Sequence, residues 1–172
     1  PSEIITALQT KQHFKLKGVG PLEFHLGCDY FCDKDGTLCF GPRKYIDKMI
    51  EQYELLFGSK PKEYTSPLEK GDHPEVDTSE ELDDNGIKIY QSMIGSLQWA
   101  VSIGRFDVHT ATMTMSRFRM APRKEHLERL KRMYGYLKKF RSAAIRVQTD
   151  DPDLSGIPAQ DYDWCETVYG NV

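Results

Sequence analysis

The chain has 172 residues, of which 39% are hydrophobic and 28% charged, with a formal net charge of -3. That apolar content supports the core of one medium domain or two small ones and excludes a chain disordered throughout. No run nears the ~18 apolar residues of a membrane span, and Pro1 onward lacks the basic-then-apolar layout of a signal peptide, so the expectation is an intracellular protein of cytoplasm or nucleus, with no membrane partner.

Ser2 is placed to cap a short helix with Ile4, Ile5 and Leu8 on one side. Residues 14–20 read as a linking segment. From Leu22, the residues Leu22, Phe24, Leu26, Cys28, Tyr30 and Cys32 alternate with Glu23, His25, Gly27 and Asp29, the period of a strand with one buried face. Turn residues follow at 33–36 and a second strand at 37–40, which makes a β-hairpin. Gly41-Pro42 then breaks the strand and opens a helix, where Tyr45, Ile46, Met49, Ile50, Tyr53, Leu56 and Phe57 recur at three and four residues and Gly58 supplies the C-cap.

Residues 59–86 carry prolines and acids without apolar periodicity, which predicts an exposed loop, mobile or disordered at least around 71–84. Tyr90, Met93, Ile94, Leu97 and Val101 open a second long helix that breaks at Gly104, and Asp107 is positioned to cap the next one. A last helix is predicted over 123–140, with Leu127, Leu130, Tyr134 and Leu137 inward and the pairs Glu125/Arg129 and Glu128/Arg132 in the favourable i,i+4 order. A short strand at 143–147 and a polar tail complete an α+β chain, divided at 1–41, 42–66, 67–87, 88–142 and 143–172.

Charge is strongly polarised. Between Arg117 and Arg146, eleven basic residues face only Glu125 and Glu128; between Glu69 and Asp84, eight acids face Lys70 alone. Lys124, Lys131 and Lys138 fall seven apart on one helical stripe, with Arg132 and Lys139 beside them, a pattern suited to phosphates or to a solvated helix face. Tyr136 is a candidate exposed stacking group there. The cysteines lack ligand spacing, so no metal site is expected, and no histidine has a Cys or Ser partner at a catalytic spacing.

Five pieces in order carry a family resemblance: Phe24-His25-Leu26-Gly27; Lys44-Tyr45-Ile46; the run Tyr90-Gln91-Ser92-Met93-Ile94-Gly95-Ser96-Leu97; Ser116-Arg117-Phe118; and the stretch from His126 to Leu137. Together they resemble the C-terminal part of a copia-type LTR-retrotransposon reverse transcriptase. Phe106 departs from the family's R-P-D, and Leu127 from its tryptophan. The resemblance implies a hairpin from the end of the palm leading into a mainly helical thumb and connection region. It assigns His25, Leu26 and Gly27 to the primer grip, and template-primer duplex, RNA–DNA or DNA, as partner.

The family's Y-x-D-D hairpin, whose aspartates hold magnesium in the parent polymerase, does not occur in this sequence. The chain is therefore expected to hold duplex without catalysis or a cofactor of its own, as a piece of a polyprotein with palm and fingers before it and RNase H after it. Asp161-Tyr162-Asp163-Trp164 resembles the start of such an RNase H domain and equally suits a linker. The alternative reading is a transposon-derived helical module that binds protein, or an inert remnant.

Overall fold

The computed structural model describes residues 2–10 and 22–147; the linking segment at 14–20, the polar tail and Asp161 to Trp164 lie outside the described residues. The architecture is α+β. Helix α1 spans Ser2–Thr10, and strands β1 (Phe24–His25), β2 (Cys28–Cys32), β3 (Leu38–Gly41) and β4 (Ile145–Arg146) form one antiparallel sheet in the order β1-β2-β3-β4. The alternation from Leu22 to Cys32 does not run as one strand. It folds back at Leu26 and Gly27, whose φ of 50° and 94° make a two-residue hairpin turn, and His25 pairs with Cys28. A two-residue turn pairs residues of opposite parity, Phe24 with Asp29 and His25 with Cys28, so the even-numbered apolar series changes face across it: Leu22 and Phe24 are exposed and Cys28 is buried, and the expected single buried face does not form.

Helix α2 spans Arg43–Phe57 and ends at Gly58, which adopts the left-handed conformation (φ 72°) and donates its N–H to Glu54. Its start is served from outside. Pro42 offers no side-chain cap, and Asp29 of β2 instead accepts the Lys44 backbone N–H at 3.1 Å and the Lys44 ammonium at 2.8 Å. Asp29→Ala removes both contacts and is expected to cost about 1–2 kcal/mol, the range of a lost helix cap. Urea unfolding checks this, and an unchanged midpoint would show that water caps α2 as well.

Helix α3 spans Asp84–Ser102 and starts earlier than its apolar pattern, because Asp83 caps it by accepting the Gly86 N–H at 2.8 Å. A short 3-10 turn at Phe106–Val108 leads into α4 (His109–Ser116), and α5 spans Lys124–Lys139. Asp107 does not cap α4. It takes the Arg105 guanidinium in a two-pronged pair (2.9 and 2.6 Å), which leaves α4 without a side-chain cap. Burial alone would raise the Asp107 pKa, but the bonds and charge of Arg105 hold it below the ordinary carboxylate value.

Ile46, Met49 and Tyr53 of α2 meet Tyr90, Ile94 and Leu97 of α3 and Leu130, Met133 and Leu137 of α5 in one core. Leu97, Leu130 and Leu137 are fully buried, each contributing about 1.5–3 kcal/mol by leaving water. The sheet rests on the end of α3: the Cys28 thiol donates to the Ile103 carbonyl at 3.2 Å, and Phe40 and Ile145 lie over Gly104.

Candidate nucleic-acid interface

The acidic stretch, expected to be an exposed loop that is mobile or disordered around 71–84, instead lies along α5, antiparallel to it, from the helix C-terminus to its N-terminus. From Lys138 back to His126 its contacts fall on α5 positions three apart, one ridge of the helix surface. Lys138 donates to the Pro61 carbonyl (3.1 Å) and pairs with Glu63 (3.5 Å); at Gly135 the backbone of Lys62 and the ring of Tyr64 cross the helix. Arg132 pairs with Glu69 at 2.7 Å and stacks over Tyr64 at 4.4 Å.

Arg129 forks onto Asp72 (2.8 Å) and Asp77 (3.0 Å). His126, buried, accepts the Arg123 N–H on Nδ1 and donates from Nε2 to the Pro74 carbonyl at 2.9 Å. Lys124 pairs with Glu80 at 2.5 Å and Arg123 with Glu81 at 3.0 Å. Opposite charge supplies what apolar periodicity does not, which is why a search for buried apolar faces passes over this segment.

The basic stripe therefore carries compensated charge. Lys131 pairs with Glu128 three residues before it and lies over Phe57, so the predicted Glu128/Arg132 pair is replaced by Glu128–Lys131 and Arg132–Glu69; Glu125–Arg129 forms at 3.7 Å. Lys139 is exposed and lies near the Phe140 ring. Tyr136, expected as an exposed stacking group, is half-buried, with its ring against Phe140 and its hydroxyl bonded to Asp107.

The hairpin turn occupies a different place. His25 and Leu26 are exposed, and Gly27 sits on α3: a Cβ there would lie 3.3 Å from Ile103 and 3.6 Å from the Trp99 Nε1. From that turn an exposed face of α3 runs through Trp99, Gly95 and Gln91, spaced by four and hence one above the other, while Tyr90, Ile94 and Leu97 fill the opposite face. Nothing approaches the open side of Gly95 within 4 Å. A groove of about 510 Å³ follows, lined by Gln91, Gly95, Gln98, Ser116, Arg117 and Arg119 with Met120, and these liners include two arginines and no carboxylate.

Neither arginine has a carboxylate within ion-pair distance among the described residues. Gln91 is fixed by donating to the Arg119 carbonyl at 3.0 Å. None of the basic residues singled out on α5 lines this groove. Gln91 and Gly95 stand in the run from Tyr90 to Leu97 that carries the family resemblance, but neither they nor Trp99 were among the residues expected from sequence to contact nucleic acid. The available signal was a mid-helix glycine and a tryptophan at four-residue spacing on the polar side of an amphipathic helix. No group of three or more His, Cys, Asp or Glu among the described residues is arranged to hold a metal, and no helix among them is long and apolar enough to cross a membrane.

No protein-family model and no solved structure matches the chain. Two curated relatives do. The chain is 30% identical over 148 residues to a retrovirus-related Pol polyprotein from transposon TNT 1-94 of Nicotiana tabacum, covering 83% of this chain and 11% of that protein. It is 28% identical over 146 residues to a putative transposon Ty5-1 protein of Saccharomyces cerevisiae, covering 79% of this chain and 42% of that one. The chain is thus related to retrotransposon polyproteins, and it spans less than half the length of each relative it matches.

Proposed function

We propose that the chain is the primer-grip and thumb part of a copia-type reverse transcriptase and holds template-primer duplex along α3. The observation that carries this reading is the continuity of the Leu26–Gly27 turn with the exposed Trp99, Gly95 and Gln91 face and its carboxylate-free arginine groove. An exposed mid-helix glycine costs about 1 kcal/mol relative to alanine. Close approach of a partner backbone offsets that cost. RNA–DNA duplex near the A form offers a wide, shallow minor groove, into which a helix face with little relief at its centre fits, while glutamine reaches base edges or 2′-hydroxyls.

Arg117 and Arg119 then meet phosphates, and Trp99 lies on sugars next to the primer grip formed by His25, Leu26 and Gly27. The paired aspartates that hold magnesium in the parent polymerase are not in this sequence, so the chain holds duplex and extends no primer by itself.

Two substitutions at one position test this. Gly95→Ala fills open space and is expected to raise stability by about 1 kcal/mol. Gly95→Leu keeps the fold but blocks the approach, and is expected to lower affinity for an RNA–DNA duplex by about tenfold or more, a loss of roughly 1.4 kcal/mol. Fluorescence anisotropy on a labelled duplex reads the effect. Equal affinity for Gly95→Leu and the unaltered chain would remove α3 from the interface and favour a protein-binding module or an inert remnant.

A further inference from the structure

We infer that the acidic segment spanning 63–81 is an electrostatic shield, which keeps polyanions off α5 and confines a nucleic acid to the groove between α3 and α4. The confinement rests on the reading of α3 given above; the shielding of α5 does not. The segment's contacts with α5 fall into two kinds. Asp72 and Asp77 are held against Arg129 with little exposure, Pro74 is buried over His126, and the Tyr64 ring lies against Gly135, just after the backbone of Lys62 crosses there. These contacts anchor the segment.

Glu63, Glu69, Glu80 and Glu81 are different. Their side chains are between 52% and 75% exposed, and each takes one separate cation of α5 or its start: Lys138, Arg132, Lys124 and Arg123. Ion pairs this exposed hold a segment in place with little force, about 0–1 kcal/mol at most. Their one-to-one placement has a larger effect on the field around the helix. Without them α5 would present a row of cations long enough to track a phosphate backbone, in competition with the groove, where Arg117 and Arg119 have no carboxylate among their fellow liners. Discrimination between two basic surfaces needs a repulsive element as well as an attractive one. The four glutamates supply it.

The test uses the full chain carrying Glu63→Gln, Glu69→Gln, Glu80→Gln and Glu81→Gln together, with heparin and an RNA–DNA duplex as probes across a range of salt. Glutamine preserves size, and the backbone bonds from Leu82 to Pro122 and from Lys124 to Glu80 are untouched. Circular dichroism is therefore expected to match the unaltered chain. The expected result is a gain of about tenfold or more in affinity for both probes at low salt, with a salt dependence steeper by about two to four units, close to one for each phosphate newly engaged.

Adding Lys124→Ala, Arg132→Ala and Lys138→Ala to the same variant is expected to abolish the gain. Should the quadruple variant fail to fold, Glu80→Gln with Glu81→Gln alone is expected to give a smaller gain of the same sign. Unchanged affinity and slope in a folded variant would overturn the proposal, as would a gain that survives removal of the three cations. Because the readout is a gain on α5, it is expected even if Gly95→Leu leaves duplex binding unaltered, so the two readings fail separately.

Discussion

Arg129→Ala is expected to destabilise the protein by about 3–5 kcal/mol, because it strands a buried carboxylate. Asp77 is 1% exposed at its side chain and Asp72 14%, and Arg129 is the cation that bonds both. Burial by itself would raise the Asp77 pKa. The Ser79 bonds and the charge of Arg129 outweigh it, and the net value lies below the ordinary one.

A carboxyl whose folded pKa is lowered adds stability above its unfolded pKa of about 3.9 and loses it as pH falls through the folded value. The unaltered chain is therefore expected to lose this contribution below about pH 4, and Asp77→Asn to flatten that part of the profile. Urea unfolding between pH 2.5 and 7 measures both. A loss under about 1 kcal/mol for Arg129→Ala would mean that the segment is held by its other contacts and not by this pair.

Gly135→Ala is expected to destabilise by about 2 kcal/mol or more, although alanine is the better helix former. The propensity gain is about 1 kcal/mol. Against it, a Cβ at this position would overlap the Lys62 carbonyl and lie 2.9 Å from the Tyr64 ring. Backbone on both sides leaves little room to relax, and overpacking of this kind costs about 3 kcal/mol. Either α5 and the crossing chain separate or the helix shifts. Limited proteolysis gives the second readout, with cleavage between residues 60 and 83 expected to accelerate in the variant. A stabilised Gly135→Ala chain with unchanged cleavage would show that the acidic segment does not cross α5 at this point.

The helices were legible because each buries one face. The three-and-four spacing of Ile46, Met49 and Tyr53, and of Leu130, Tyr134 and Leu137, corresponds to side chains that meet in the core. Gly58 ends α2 as its residue type suggests, and 143–147 holds the short strand β4. The boundary errors have one origin: where a partner from another element caps or redirects the chain, local pattern is silent. Asp29 caps α2 from a strand, Asp107 turns to Arg105 instead of α4, and the turn at Leu26 and Gly27 moves the even-numbered residues to the other face of the sheet.

By itself the sequence determined the class of fold, the order of the helices, the resemblance to retrotransposon polyproteins and the separation of charge into a basic and an acidic stretch. Only the tertiary structure decided that these two stretches meet. Like charges seven apart on a helix look like an open surface in one dimension, and a run of acids looks like solvated loop, since neither pattern records what lies across the chain. Once residues 63–81 are laid along α5, Coulomb attraction between them compensates the basic stripe, while Arg117 and Arg119 line a groove beside the polar face of α3 whose liners include no carboxylate. Periodicity reports what a segment does with water and can be read locally; charge pairing depends on distances between segments, which exist only after the chain has folded.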